Sequence, residues 1–273
     1  MMKYMQKITT EIISEHIDRY IECGYRISVK EMADRSGYSL RHLQRMFIQE
    51  TGIPLGEYIR RRRLSHTALL LRLSRRSFRD IALSVGFDSQ QSMNRTFKKS
   101  TNLTPTQYRF GAEWVLSPLC GKINVTYEVS GPEIVLLQAG MITGKEFQFY
   151  GTIAEPENNY LAKAYLDSVF SHGKDKLWVV AQTSPVNHNR FHYKVSGAIG
   201  IPAKKKGKSF SWPAGRYMKV NFETTRETHT TRTQYIYLNV LSEHGVIRGS
   251  GADLLMFHHK DGITTCSLFI PIN

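Results

Sequence analysis

The stretch GYSLRHLQRMF at residues 37–47 returns in altered form as GFDSQQSMNRTF at residues 86–97. Gly37 and Gly86 lie 49 positions apart, and after the turn the offset becomes 50, so that Phe47 corresponds to Phe97. In each copy a short helical pattern containing an alanine precedes the glycine, which relieves a tight turn, and a second helical pattern follows. This internal repeat predicts two helix-turn-helix units.

The outward side of each second helix carries polar side chains and no acid. The corresponding positions are Arg41, Gln44, Arg45 and Ile48 in the first unit and Gln91, Asn94, Arg95 and Lys98 in the second. Arginine, glutamine and asparagine form bidentate hydrogen bonds with guanine and adenine edges in the major groove. A solvated face is the alternative, but it gives no reason for the same polar choices to occur twice. We therefore predict that the two stripes read DNA bases.

Phosphate contacts are expected beside these stripes. We assign them to Ser39, Ser89, Lys98 and Lys99, near the ends of the second helices, where helix-start amides also face an anion. Four consecutive arginines at 60–63 span more than one helical turn and cannot share a face. We expect one or two of these arginines to meet phosphate or a helix-capping acid and the rest to be solvated. From this run we assign Arg62 to phosphate.

The charge distribution agrees with a polyanionic partner. The chain has 37 Lys and Arg against 23 Asp and Glu, and residues 1–112 hold 20 of the basic and 10 of the acidic side chains. A general solubility charge is the alternative explanation. Three distant cysteines without a C-x-x-C pair argue against a disulfide framework or a zinc finger. Since no signal peptide or apolar run of about 18 residues occurs, we expect a cytoplasmic, nucleoid-associated protein without a membrane partner.

The chain changes character after residue 110. Helical periodicity predicts helices at 29–36, 40–51, 54–73, 78–85 and 104–108, besides the one that carries the second stripe. Strand patterns follow at 125–129, 133–142, 176–184, 194–201, 216–225, 252–259 and 266–273, with helices at 159–171 and 227–244. We predict an all-α DNA-binding domain at 1–112, a linker at 113–122, and at 123–273 an α+β domain built from two similar halves.

At these residues the sequence resembles the AraC/XylS family of bacterial transcription regulators. The segments YSLRHLQRMFIQETGIPLGEYIRRRRL and DIALSVGFDSQQSMNRTFKKSTNLTPTQYR are similar to its homeodomain-like double helix-turn-helix, in the subgroup of MarA, SoxS and Rob. The resemblance implies base reading by Gln44 and Arg45 in the first unit and by Gln90, Gln91 and Arg95 in the second. Arg41 stands where the subgroup usually has tryptophan, and Asn94 stands where it usually has threonine.

The same resemblance extends to the second half of the chain. SWPAGRYMKVNFE at 211–223 and CSLFIPIN at 266–273 are similar to parts of a GyrI-like domain, a duplicated SHS2 fold that binds small molecules. Ser267 stands where that pattern has glutamate. The resemblance implies a regulator of promoters, an activator that touches RNA polymerase, in stress or multidrug responses. Two recognition helices on one connecting helix would enter successive major grooves of double-stranded promoter DNA about 34 Å apart, as a monomer.

A small apolar or cationic effector is the second expected partner. Aromatic residues are dense after residue 123, and an aromatic cleft binds such compounds by stacking and cation–π contact. We assign this pocket to Tyr127, Trp178, Tyr193, Tyr217 and Glu223. For any one of these aromatic residues, an ordinary place in the core is the alternative.

Catalytic chemistry has little support in the sequence. No glycine-rich phosphate loop follows a strand, no G-x-S-x-G elbow occurs, and the histidines at 188, 192, 258 and 259 lack the companions of a metal site. We expect no catalytic residues, no metal and no cofactor. The main alternative is a small-molecule or partner-binding protein whose basic half anchors it to DNA without sequence preference, and an enzyme is a distant third.

Overall fold

The computed structural model describes residues 2–123, 126–152, 162–171, 176–186, 192–203 and 209–273. The first part is helical. Its helices are α1 (Met2–Glu22), α2 (Val29–Ser36), α3 (Leu40–Thr51), α4 (Leu55–Leu73), α5 (Phe78–Ser84), α6 (Gln90–Thr101) and α7 (Pro105–Phe110). Among the described residues, no helix is both long enough and apolar enough to cross a bilayer.

Local signals explain where these helices begin. Ser28 caps α2 and forms a capping box with Glu31, whose carboxylate accepts the Ser28 amide at 2.7 Å. Hydrogen bonds from the Ser28 side chain, and then from its amide, hold the pKa of Glu31 below its usual value. Pro105 occupies the first turn of α7, where a missing amide proton costs nothing. The predicted helices are therefore confirmed to within two residues at each end, apart from those after residue 123.

The second part is built on antiparallel strands. The strands are β1 (Trp114–Val115), β2 (Ser130–Leu137), β3 (Gly140–Thr152), β4 (Lys176–Pro185), β5 (His192–Pro202), β6 (Ser209–Trp212), β7 (Gly215–Glu223), β8 (Ile247–Arg248), β9 (Asp253–Lys260) and β10 (Ile263–Pro271). Between them lie α8 (Lys163–Phe170), α9 (His229–Tyr235), a π-helical segment (Ile236–Val240) and α10 (Leu241–Glu243).

The main sheet has two similar halves. Its eight strands run in the order β2-β7-β10-β9-β4-β5-β3-β6. One half consists of β3, α8, β4 and β5, and the other consists of β7, α9 with α10, β9 and β10; they join where β9 pairs with β4. Strands β2 and β6 each cross to the edge of the opposite half, against β7 and β3. This duplicated α+β topology is the one that the order of strand and helix patterns predicts.

Some predicted elements differ from the structure. Residues 126–129 are irregular rather than a strand, and the pattern at 133–142 is divided between β2 and β3, which reach different edges of the sheet. The helix at 227–244 contains the wider π turn, a local distortion that periodicity does not reveal. The start of the helix at 159–171, part of the strand at 125–129 and the basic run at 204–208 lie outside the described residues.

The buried apolar residues form three clusters, and their division does not follow the predicted domain boundary. One cluster holds the first helix-turn-helix unit together with Cys120. A larger cluster joins the second unit, through Met93, Phe97 and Tyr108, to the helices and strands of the second part. The third lies on the opposite sheet face and contains strand residues such as Tyr217 and Phe269. The second unit and the strand-rich part thus share one continuous core.

The linker segment is packed against both parts. Trp114 pairs with Arg248 between β1 and β8, and Cys120 hydrogen bonds through its amide to the Ser65 hydroxyl of α4 at 2.9 Å. Leu116 and Leu119 are buried in the large cluster. These contacts fix the segment as a structural joint between the two parts.

Candidate nucleic-acid interface

The structural repeat extends beyond the residues that the sequence pattern aligned. Phe47 packs on Tyr58 with ring centroids 5.5 Å apart, and at the same offset of 50 Phe97 packs on Tyr108 at 5.0 Å. Each ring pair fastens a second helix to the helix that follows it. Tyr58 and Tyr108 are absent from the predicted functional residues, although the offset of 50 in the sequence relates them directly.

Equivalent hydrogen bonds are formed at the C-terminal end of the second helix in each unit. The Thr51 hydroxyl donates to the carbonyl of Phe47 at 2.7 Å and accepts from the amide of Ile53 at 3.2 Å. Thr101 does the same with Phe97 and Leu103, at 2.9 and 3.2 Å. The two units therefore present their second helices from equivalent frameworks.

The turn before α6 requires glycine. Gly86 has a φ of +80°, and a side chain there would place its Cβ only 2.8 Å from the carbonyl oxygen of Tyr25. Gly37, at the equivalent turn, has a φ of +71°, and a Cβ placed there would meet no non-neighbouring atom of the described residues within 4 Å. Both positions need the left-handed conformation, and Gly86 also permits close packing against the first unit.

Both predicted stripes face outward. On α3 the side chains of Arg41, Gln44 and Arg45 are exposed, while Leu43, Met46 and Phe47 point into the core. On α6 the side chains of Gln91 and Arg95 are exposed, Gln90 and Asn94 are half-buried, and Met93 and Phe97 are buried. The structure thus brings the predicted base-reading residues onto two exposed helix faces, each set against a buried apolar face.

Asn94 differs from its neighbours in one respect. Its side-chain oxygen Oδ1 is buried and has no hydrogen-bond partner among the described residues. Buried polar atoms in folded proteins nearly always have partners. An amide whose oxygen is unsatisfied in the free protein is suited to accept a hydrogen bond from a bound molecule.

Four of the predicted phosphate contacts are accessible. Ser39 and Ser89 cap α3 and α6, where their hydroxyls accept the amides of His42 at 3.3 Å and Ser92 at 3.1 Å. Each hydroxyl keeps its own proton to donate to an anion. Lys98 and Lys99 are exposed in the last turn of α6.

The assignment of Arg62 to phosphate is wrong. Its side chain is only 4% exposed; Nε donates to the Asp18 carboxylate of α1 at 2.6 Å, and a terminal nitrogen donates to the Cys120 carbonyl at 2.7 Å. Burial alone would lower the pKa of Arg62, but the Asp18 charge raises it above its usual value. Arg62 therefore joins α4 to α1 and to the linker, and it has no surface to offer to DNA.

Other members of the arginine run are better placed. Arg60 is exposed and donates to Glu57 at 2.6 Å and to Ser100 of α6 at 2.7 Å, while Arg61 donates to the Leu119 carbonyl at 2.8 Å. Both line an open cleft together with Arg95 and Lys99. Helical rotation thus separates the run into a buried structural residue and a surface group that adds positive charge beside α6.

The five residues assigned to an effector pocket do not meet. Trp178 and Tyr217 lie on the sheet face of the third cluster, where Trp178 stacks on Trp212 with centroids 5.4 Å apart. Glu223 is exposed on the same face but six residues along β7 from Tyr217, about 20 Å away. Tyr127 packs against Tyr235 of α9.

Tyr193 has a different location from the other four. It lines a cavity on the opposite face of the sheet, beside α4. The prediction of a single pocket from these five residues is therefore wrong. Strand alternation sends Tyr193 to the face opposite Trp178 and Tyr217, Glu223 lies far along β7, and Tyr127 lies outside the strands.

Two helix-turn-helix units, each presenting an exposed polar helix face on a strongly basic part of the chain, define a sequence-reading DNA-binding protein. Comparison with known proteins agrees with this class. A family model described as a helix-turn-helix domain matches residues 32–110. The regulatory protein SoxS of Salmonella typhimurium is 43% identical over 110 residues, which cover 40% of this chain and 97% of SoxS. The chain belongs to the AraC/XylS family of DNA-binding transcription regulators, in the subgroup of MarA, SoxS and Rob.

Other relatives match different shares of the chain. The F1 operon positive regulatory protein of Yersinia pestis is 29% identical over 277 residues, covering 98% of this chain and 89% of that protein. The transcriptional regulator Rob of Salmonella typhimurium is 51% identical over 88 residues, covering 32% of this chain and 30% of Rob. Among solved structures, the C-terminal domain of AraT from Geobacillus stearothermophilus is similar at 27% identity and a TM-score of 0.35, covering 37% of this chain and 83% of that one.

Proposed function

We propose that this regulator binds promoter DNA as a monomer, with α3 and α6 in successive major grooves about 34 Å apart. The supporting observation is the pair of exposed polar stripes at an offset of 50, on helices held by equivalent ring pairs and threonine hydrogen bonds. Two different stripes on one chain read an asymmetric site. The fit of both helices to one face of DNA favours sequences that bend readily.

Each stripe has a definite reading capacity in this proposal. Arg45 and Arg95 occupy equivalent positions and donate bidentate hydrogen bonds to guanine, while Gln44, Gln90, Gln91 and Asn94 suit adenine. Arg41 adds a second guanine-directed side chain to α3. Since Arg41 replaces a tryptophan that the subgroup usually carries, the base preference of this protein differs from its relatives in the half-site read by α3.

The rest of the chain is proposed to regulate this binding. Residues 1–112 form the DNA-binding domain, 113–122 the linker and 123–273 a GyrI-like regulatory domain that takes a small effector. The duplicated strand–helix–strand–strand topology supports that domain type. The protein acts in the cytoplasm as an activator that contacts RNA polymerase. The sign of this regulation is supported by the name of the Yersinia pestis relative, which describes that protein as a positive regulator.

The test begins with selection of a binding site from random DNA by the full chain. Fluorescence anisotropy then compares wild type with Arg45→Ala and Arg95→Ala on the selected site and on scrambled DNA. Each variant loses about 1–3 kcal/mol of binding free energy on the selected site and little on scrambled DNA. Arg19→Ala, which removes an exposed arginine from α1, is the matched control and leaves the preference unchanged.

The same experiment distinguishes this proposal from the alternative, in which the basic half binds DNA without sequence preference. In that case selection yields no common site, and affinity falls steeply with salt to the same extent for every sequence. Unchanged binding by both arginine variants on the selected site would refute the assignment of the stripes.

A further inference from the structure

A cavity of about 400 Å³ lies between the DNA-binding helices and the strand-rich part. One wall comes from α4 and α7, including Ala68, Leu69 and Tyr108. The opposite wall comes from the sheet and its helices, including Tyr165 and Tyr193. The volume is in the range of small-molecule sites, and most of the lining is apolar.

Two guanidinium groups from different parts of the chain meet at this cavity. Arg72 of α4 and Arg248 of β8 both pack on the ring of Trp114, at 5.2 and 5.3 Å from its centroid. Arg248 is compensated, because it pairs with Asp253 at 3.0 Å and contacts the Tyr237 hydroxyl at 3.3 Å. Two cations and one carboxylate leave this group with a net positive charge.

Arg72 carries the excess charge. It donates to the backbone carbonyls of Gly111 and Glu113, and no carboxylate of the described residues pairs with it. Its Nε is buried without a hydrogen-bond partner among the described residues. Burial, and then repulsion by Arg248, lower the pKa of Arg72 to about 10. An anion placed in the cavity would balance the charge of Arg72 and could accept the hydrogen bond of its Nε.

His229 supplies a second unsatisfied polar group. Its side chain lines the cavity and is 5% exposed, and Nδ1 is buried without a partner among the described residues. The rings of Phe222 and Phe257 surround it at 6.2 and 5.2 Å. Burial lowers the pKa of His229 to about 4, so the ring is neutral near pH 7 and can hydrogen bond a bound molecule without adding charge.

We propose that this cavity binds an apolar molecule with a single anionic group, held by Arg72 and seated against the apolar walls. The proposal rests on the regulatory role assigned to the second part of the chain and names the ligand class of that role. It replaces the expected cationic effector, because Glu223 is exposed on the opposite sheet face from this cavity.

The position of the cavity determines which recognition helix responds. Tyr108 lines the cavity and packs edge-on against Phe97 of α6 at 5.0 Å. The cavity walls and α6 belong to the same apolar cluster, whereas α3 belongs to the separate cluster of the first unit. We therefore expect a ligand that orders this cavity to change binding to the half-site read by α6 more than binding to the half-site read by α3.

The test uses two fluorescent probes that differ in charge, anilinonaphthalene sulfonate and uncharged N-phenylnaphthylamine. Titration of the full chain gives both dissociation constants. Arg72→Met weakens sulfonate binding about tenfold and leaves the uncharged probe within about twofold. Arg72→Lys keeps the charge and retains most of the preference for sulfonate. Ala68→Phe fills the cavity and weakens both probes.

Two controls separate the possible outcomes. Arg75→Met removes an exposed arginine close to α4 and changes neither constant. Trp178→Ala tests the opposite sheet face; loss of probe binding in this variant, with Ala68→Phe unaffected, overturns the proposal. Equal affinity of wild type for both probes also overturns it. Binding of the same preparation to the selected DNA site is measured without probe. Retained DNA binding means that only the ligand proposal has failed, and lost DNA binding means that the proposed function has failed.

Discussion

Arg62→Met distinguishes a structural arginine from a DNA contact. In the structure the Arg62 guanidinium holds Asp18 at 2.6 Å and the Cys120 carbonyl at 2.7 Å. The Asp18 side chain is only 3% exposed. The substitution leaves a buried carboxylate without a cation, while the Cys120 carbonyl keeps one donor, the Ser65 hydroxyl at 2.9 Å.

The expected loss in the free energy of unfolding is roughly 3–5 kcal/mol, since breaking one half of a buried pair strands the other charge. The double variant Asp18→Leu with Arg62→Met recovers most of this loss, because it removes both charges. Arg60→Met is the matched control. Its pair with Glu57 has side chains 45% and 37% exposed, and its loss costs less than about 1 kcal/mol.

Urea unfolding followed by far-ultraviolet circular dichroism measures these differences. Anisotropy on the selected DNA site at several salt concentrations supplies the second measurement. Loss of a phosphate contact reduces the slope of log K against log salt by about 0.9, and Arg62→Met leaves that slope unchanged. A variant with near-wild-type stability and a reduced salt slope would refute the structural role of Arg62.

Three further predictions concern the helix ends, the turns and pH. Lys98→Met reduces the slope of log K against log salt by about 0.9, because one phosphate contact is lost. Its free energy of unfolding stays within about 0.5 kcal/mol of wild type. An unchanged slope would contradict the phosphate role of Lys98. In urea unfolding, Gly86→Ala is more destabilising than Gly37→Ala. Both substitutions place a Cβ on a backbone with positive φ, which costs about 1–2 kcal/mol, but only the Cβ at position 86 also approaches the Tyr25 carbonyl. Equal losses would show that the close approach costs nothing. His229 has a folded pKa of about 4, below its unfolded value of about 6.5, so the unfolded chain binds the proton first as pH falls through that window. Stability present at pH 7 therefore decreases by about 2 kcal/mol by pH 5, and His229→Phe, measured by urea unfolding at both pH values, shows a smaller decrease.

Elements with short-range signals could be predicted from the sequence. The capping box at Ser28 and Glu31, the glycine turns and the proline of α7 are each decided by neighbours within a few residues. The outward stripes followed from the same periodicity, since a helix of 3.6 residues per turn fixes which side chains share a face. The π segment at Ile236–Val240 and the division of 133–142 between β2 and β3 have no such local signal.

The effector residues show why the rest could not be predicted. Trp178 lies within a predicted strand and Tyr193 directly precedes one, yet Trp178 packs against the cluster on one sheet face and Tyr193 lines the cavity on the opposite face. Which face is covered by helices depends on the pairing of β4 with β9, two strands that are distant in sequence. A composition rich in aromatic residues indicates apolar burial and does not indicate which side chains converge.

By itself the sequence determined the double helix-turn-helix, its two polar stripes and a second part made of two similar halves, because repetition and periodicity are local properties of a chain. Only the tertiary structure decided that Arg62 is buried, because its partner Asp18 lies 44 residues away on α1. It also decided that α6, and not α3, belongs to the apolar cluster that extends into the strand-rich part. Burial and charge pairing arise from contacts between distant segments, and those contacts exist only once the chain has folded.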